Sequence, residues 1–202
     1  MFSTEITLKW VKPLIFVFCL IPIILLSYGF ITDNLGADPI QSLLKQTGEW
    51  ALRLLLATLA VTPIRQIFGW SSLIRIRRML GLFSFFYALL HVCIYITFDQ
   101  SLDIGDIIND VFKRPFITIG MLSFLLMLPL ALTSSNAAIR YLTGKKWKQL
   151  HQLVYLVAIG AVIHFLWLAQ SKANITEPAI YMIILAILLL IRHPPIMQKL
   201  KR

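Results

Sequence analysis

The chain has 202 residues, of which 58% are hydrophobic and 14% charged, with a mean hydropathy of +0.80 and a formal net charge of +10. That balance excludes a water-soluble domain of this size and indicates an integral membrane protein. Cys19 and Cys93 stand singly in separate apolar runs without C-x-x-C spacing, which excludes a disulfide framework or thiolate metal site and leaves both as packing residues.

In chain order, the apolar runs predict an all-α integral membrane protein: a six-helix transmembrane bundle with helices at 11–31, 47–63, 80–98, 115–132, 150–169 and 178–192, forming one domain over 1–202. The first run exceeds the apolar core of a secretory signal and lacks a small-x-small cleavage site, so a retained helix is expected. The second is apolar only from Ala51 to Pro63 and extends outward through Thr47, Gly48, Glu49 and Trp50. There Glu49 and Arg53 form an i,i+4 pair and Trp50 suits an interfacial belt. The sixth borrows Pro178 at its first turn and the tail Pro194, Pro195, Ile196 and Met197.

Loop charge orients the bundle. Arg65, Arg75, Arg77 and Arg78 lie in one acid-free loop, and Arg140, Lys145, Lys146 and Lys148 in another. These loops, and with them the N and C termini, are expected to be cytoplasmic. Opposite them lie Asp33, Asp38, Asp99, Asp103, Asp106 and Asp110, against Lys45, Lys113, Arg114 and Lys172. The basic excess is thus an orientation signal, and no nucleic-acid partner is needed to explain it. No stretch repeats at a fixed period, and no G-x-G-x-x-G, Walker, H-E-x-x-H or nucleophile-elbow motif occurs, so any nucleotide cofactor must arrive on another protein.

The chemistry-bearing residues are histidines at membrane depth, where ionisable groups are costly to keep. His151 and His164 lie in the stretch 147–167, and His91 in the third run. With no carboxylate in any apolar run to relay protons, imidazoles facing one another inside a bundle suit a transition metal, and the working expectation is a heme held between helices. At about 1.5 Å per residue, His91 lies roughly 20 Å above Arg78 and His164 roughly 24 Å above Lys148, which makes them the better axial pair. His151, about 20 Å below His164 on the same helix, would serve a second, inner site with a ligand from elsewhere such as His193.

Plainer readings stand beside these. His151 and His193 suit interfacial anchors, and His91 and His164 suit hydrogen-bonded core residues. Arg75, Arg77 and Arg78 read first as the positive-inside signature and second as a site for heme propionates, a flavin phosphate or an anionic lipid head. Gly81, Gly120 and Gly160 read as close helix contacts. Phe83, Phe85, Phe86, Tyr87, Tyr155, Phe165 and Trp167 are ordinary membrane-core residues, some able to wall a porphyrin.

Several local patterns resemble one family. They are Leu35-Gly-Ala-Asp-Pro39, Thr47-Gly-Glu-Trp-Ala-Leu52, Thr62-Pro-Ile-Arg65, Arg77-Arg78 with Gly81, and Tyr87-x3-His91. They continue with Lys113-Arg-Pro-Phe-Ile-Thr118 and Gly120, Pro129-Leu-Ala-Leu-Thr-Ser134, and Trp147-x2-Leu-His151. In that order, from Leu35 to Trp167, they resemble the MsrQ family within the ferric-reductase-like transmembrane proteins. The resemblance implies a heme-binding membrane subunit of the bacterial inner membrane. It would take electrons from the respiratory quinone pool and deliver them through heme b, one or two copies, to a periplasmic molybdopterin-containing catalytic subunit that reduces methionine sulfoxide in oxidised proteins. FMN is implied by the resemblance alone, without residues. By the same pattern His91, His151 and His164 fall on heme-associated positions and His193 does not. The 202 residues carry no flavin or NADPH domain and no second histidine on the third helix, so a self-contained NADPH-driven reductase is not expected. The nearest rival is a heme-containing ferric or cupric reductase fed by a separate cytosolic flavin reductase. A transporter and a non-redox assembly factor are further alternatives, the former disfavoured by the scarcity of intramembrane polar groups.

Overall fold

The computed structural model describes residues 4–170 and 175–192. Every regular element among them is helical, and five helices are long and apolar enough to cross a membrane, with a shorter apolar sixth at Thr176–Ile191. His193 and the proline-containing tail expected to lengthen that sixth helix lie outside the described residues. The chain divides into two compact units, one ending at Asp99 and one beginning at Gln100.

The first unit contains α1 (Thr4–Ile31), α2 (Pro39–Phe68) and α3 (Ile74–Ile94). The second helix begins eight residues before the expected start, because Asp38 and Pro39 make a complete N-terminal signal. The Asp38 carboxylate accepts from the amide of Gln41 at 3.0 Å, and Pro39 occupies the first turn, where no N–H is needed. Polar residues Gln41, Ser42, Lys45 and Gln46 hid this turn from a hydropathy reading. At its far end the helix stops at Gly69, whose φ of 72° is a left-handed cap. Its 30 residues span about 45 Å, more than the roughly 30 Å of a hydrocarbon core, so it is long enough to cross one with turns to spare. Beyond α3 the chain makes a π-helical turn at Tyr95–Asp99.

Tyr87, fully buried, ties this unit together. Its hydroxyl donates to the carbonyl of Cys19 at 2.7 Å and accepts from the amide of Ile23 at 3.2 Å, the two ends of one i to i−4 step of α1. Trp50 and Phe86 pack around its ring, and Ser84, one turn earlier, donates to the carbonyl of Ala51 on α2 at 2.8 Å. Cys19 is buried in this cluster, as a packing residue should be, whereas Cys93 is exposed. The other face of α1 exposes Leu14, Val17, Phe18, Ile21, Ile24 and Leu25, which is what lipid-facing surface requires.

The second unit contains α4 (Ile104–Lys113), α5 (Pro115–Leu132), α6 (Asn136–Leu150), α7 (Leu153–Gln170) and α8 (Thr176–Ile191). The fourth and sixth helices occupy stretches expected to be loops. Neither has an apolar run, but each has a cap: Asp103 accepts from Asp106 N–H and Ser135 from Ala138 N–H, both at 3.0 Å. On α4, Ile104, Ile108 and Phe112 form an exposed apolar stripe at helical spacing. Arg114, ion-paired to Asp110 at 2.9 Å, takes the extended backbone imposed by Pro115 and separates α4 from α5.

The expectation that His151 and His164 share one helix is corrected. Basic α6 ends at Leu150, His151 caps it, and α7 starts at Leu153 after a turn. The break falls where polarity changes: Lys145, Lys146 and Lys148 precede it, and the apolar run Leu153–Ile163 follows. The axial rise counted from Lys148 along one continuous helix therefore no longer locates His164.

Replacing Tyr87 with Phe removes two hydrogen bonds while keeping the ring. The variant is expected to lose about 1 kcal/mol, at roughly 0.6 kcal/mol per intramembrane hydrogen bond. Thermal unfolding in detergent followed by circular dichroism measures this, and an unchanged midpoint would remove Tyr87 as the unit's tie.

Candidate functional site: two imidazoles seated on glycines

His91 lies near the end of α3 and faces α2. Its Nδ1–H donates to the carbonyl oxygen of Leu44 at 2.9 Å, with the Thr47 hydroxyl a second neighbour at 3.4 Å. The ring rests on Gly48: a Cβ built there would stand 3.2 Å from both Nδ1 and Cε1. Thr47 is fully buried and donates to the carbonyl of Leu43 at 2.7 Å, leaving its oxygen able to accept. Beside Gly48, Glu49 is buried against Arg53 at 2.6 Å and Lys45 at 3.6 Å, and the Arg53 guanidinium lies 5.0 Å from the Trp50 ring centre. The expected i,i+4 pair is therefore present. The extended α2 also brings a carboxylate inside a spanning helix, where the apolar runs alone showed none.

His164 on α7 repeats this arrangement against α5. Its Nδ1–H donates to the carbonyl of Phe116 at 2.6 Å, and its ring rests on Gly120, where a Cβ would lie 2.7 Å from Nδ1 and 2.9 Å from Cε1. Along the same helix pair Gly160 packs against Ser123, whose hydroxyl donates to the carbonyl of Ile119 at 2.8 Å.

These bonds decide the chemistry of both rings. A carbonyl oxygen only accepts, so Nδ1 must carry the proton, and in the neutral imidazole the lone pair then sits on Nε2. Metal-ligating histidines usually show this arrangement, with the second ring nitrogen donating to a carbonyl that fixes orientation and raises basicity. Among the described residues no three His, Cys, Asp or Glu side chains converge to cage an ion. A metal held by these imidazoles would bring further ligands of its own, as a metalloporphyrin does.

His151 differs. Its Nε2 is 3.2 Å from the Thr133 hydroxyl, whose own proton goes to the carbonyl of Pro129 at 2.5 Å. The Thr133 oxygen must accept there, so His151 is protonated on Nε2 and its lone pair lies on Nδ1. Its ring stacks on Trp147 with centres 4.0 Å apart, and the Trp147 Nε1–H donates to the Thr133 carbonyl at 2.9 Å. Arg192, the nearest described neighbour of His193 in sequence, donates to the Tyr155 hydroxyl at 2.6 Å.

Residues 47–162 match the family model described as ferric reductase like transmembrane component. The chain is 50% identical over 90% of its length to the protein-methionine-sulfoxide reductase heme-binding subunit MsrQ of Azospira oryzae, covering 78% of that protein. To the proteins of the same name from Herminiimonas arsenicoxydans and Polaromonas naphthalenivorans it is 44% and 47% identical, over 92% and 90% of this chain and 85% of each relative. The chain belongs to the MsrQ family. It is a multi-pass membrane protein with a ferric-reductase-like core.

For this MsrQ-family member, the matched range takes in Gly48, His91, Gly120 and His151 and ends just before His164. What the one-dimensional reading missed was Gly48 and the carbonyls of Leu44 and Phe116. Backbone acceptors leave no residue signature. The pairing of Ala88-x-x-His91 with Ala161-x-x-His164, each trailing its glycine by nearly the same interval, was the available signal.

Thr133→Val removes the acceptor at His151 but not its shape. It is expected to release the Nε2–H tautomer of His151 in 15N-histidine NMR spectra while the resonances of His91 and His164 stay in place. An unmoved His151 signal would refute the Thr133 assignment.

Proposed function

We propose that this chain is the heme b electron-transfer subunit of a periplasmic methionine sulfoxide reductase system in the bacterial inner membrane. It takes electrons from the respiratory quinone pool and delivers them to a periplasmic molybdopterin-containing catalytic subunit that repairs oxidised proteins. The observation that carries this reading is the pair of Nδ1-anchored imidazoles, His91 and His164, in a family whose relatives are named heme-binding subunits. In this reading the six apolar helices form one bundle with both termini cytoplasmic.

His91 and His164 are the proposed axial ligands, each through Nε2. Heme supplies the one-electron chemistry, and the protein tunes it by ligation, burial and hydrogen bonding to the ligands. The carbonyls of Leu44 and Phe116 hold the ring planes and the tautomer. Thr47, next to Gly48, and Val162, two residues before His164, are buried, which limits water beside these positions. His151 is assigned to a second, inner heme position only by way of Nδ1, since Nε2 is committed to Thr133. FMN and quinone belong to the reading through the family resemblance. The acidic segments 99–110 and 33–39 are the proposed docking surfaces for the catalytic subunit. The family-model match also favours one rival, a ferric or cupric reductase fed by a separate flavin reductase.

Purified protein is expected to show the reduced-minus-oxidised spectrum of bis-histidine b heme and to be reduced by a quinol. His91→Ala and His164→Ala should each weaken heme binding by more than the roughly 10–100-fold typical of losing an outer-shell partner. Full, unshifted heme in His164→Ala would count against the axial pair, and reduction only by a flavin reductase would favour the rival.

A further inference from the structure

The two histidines do not merely happen to lie near glycines. In an α-helix the carbonyl of residue i accepts from the amide of residue i+4 through one lone pair, leaving the second for another donor. Leu44 stands one turn before Gly48, and Phe116 one turn before Gly120. Each histidine donates to the carbonyl of i and lies over residue i+4 of the same helix. Any side chain at i+4 starts in the space the ring must cross to reach that second lone pair. Gly81 and Gly160 sit on the same two helix pairs but face Thr58 and Ser123, not an imidazole.

We propose that Gly48 and Gly120 are positioning residues for the heme ligands: by lacking a side chain, each lets an imidazole donate Nδ1–H to the carbonyl one turn before it and so sets the plane and basicity of the coordinating Nε2. The two copies differ in tightness. At Gly120 a Cβ would meet ring atoms at 2.7 and 2.9 Å, closer than real Cβ contacts, so an alanine must push the ring off the Phe116 carbonyl. At Gly48 the distance of 3.2 Å is met by a shift of a few tenths of an ångström, which lengthens the Leu44 bond without breaking it. Losing Nδ1–H donation makes an imidazole a poorer donor to ferric iron, so the potential rises.

The inference rests on the heme reading above, and its test separates the two. Gly120→Ala, Gly48→Ala, Gly160→Ala and Gly81→Ala are made in the full chain. Heme per polypeptide, midpoint potential and the ferric low-spin EPR spectrum are measured, with circular dichroism as a check on folding. Gly120→Ala is expected to bind heme about 10–100-fold more weakly, with a raised potential and altered EPR g values in what remains. Gly48→Ala is expected to keep its heme with a smaller rise. Gly81→Ala, which adds only an ordinary 3.7 Å contact with Thr58, should match the parent. Gly160→Ala should lower stability through Ser123 without moving the potential.

Parent-like potential and EPR in both Gly48→Ala and Gly120→Ala would overturn the inference alone. An equal shift in Gly160→Ala would overturn it too, by showing that helix packing in general sets the signal. If Gly120→Ala does not fold, the potential of Gly48→Ala decides. Parent protein without heme would sink the functional reading and this inference together.

Discussion

A single hydrogen bond, made twice, fixes the two histidines on which the proposed function depends: imidazole Nδ1–H to a main-chain carbonyl of the neighbouring helix. In hydrocarbon no water is available to satisfy a ring N–H, so an unbonded imidazole would be expensive to bury. A helix ladder uses one lone pair of each carbonyl and leaves the other as the nearest abundant acceptor. Using that acceptor solves the burial problem at Nδ1 and defines the tautomer at once. It also determines which nitrogen remains basic. The membrane's requirement for a bonded N–H, and the requirement that a metal ligand would have for a free lone pair on Nε2, are met by one contact.

The supporting packing follows from the need to bring that carbonyl within reach. Helices α2 and α3 approach through Gly81, Ser84 and Gly48, and helices α5 and α7 through Gly120, Ser123 and Gly160. Small residues permit such distances where lipid offers no hydrophobic drive for association. Tyr87 then sets the height of His91, one turn away, by anchoring α3 to the carbonyl of Cys19 and the amide of Ile23. His151 belongs to a different local design, an aromatic stack and a hydroxyl acceptor at the end of a basic helix.

Much of this was legible in the chain. Hydropathy located α5 closely and, within α1, the apolar span Val11–Ile31 but not the seven helical residues before it; the Glu49–Arg53 pair and the packing role of Cys19 followed from spacing and context. Helices α4 and α6 were not legible to the same test because their apolar residues are interleaved with charge, though Asp103 and Ser135 advertised their starts. The histidines themselves stood out for their depth. Their acceptors did not, since a backbone carbonyl looks the same at every position, and Gly48 was visible only as part of a motif. The assumption of one continuous helix through Lys148, His151 and His164 failed because the polar run Lys145, Lys146, Lys148 and Gln149 belongs to α6, and the chain turns at His151 and Gln152 before it becomes apolar.

The most direct measurement of the central claim is an experimental structure of the heme-loaded protein resolving the axial ligands. The account predicts iron bound by Nε2 of His91 and Nε2 of His164, with each Nδ1 still donating to the carbonyls of Leu44 and Phe116. Iron held by neither ring, or either ring coordinating through Nδ1 with its carbonyl bond broken, would contradict it.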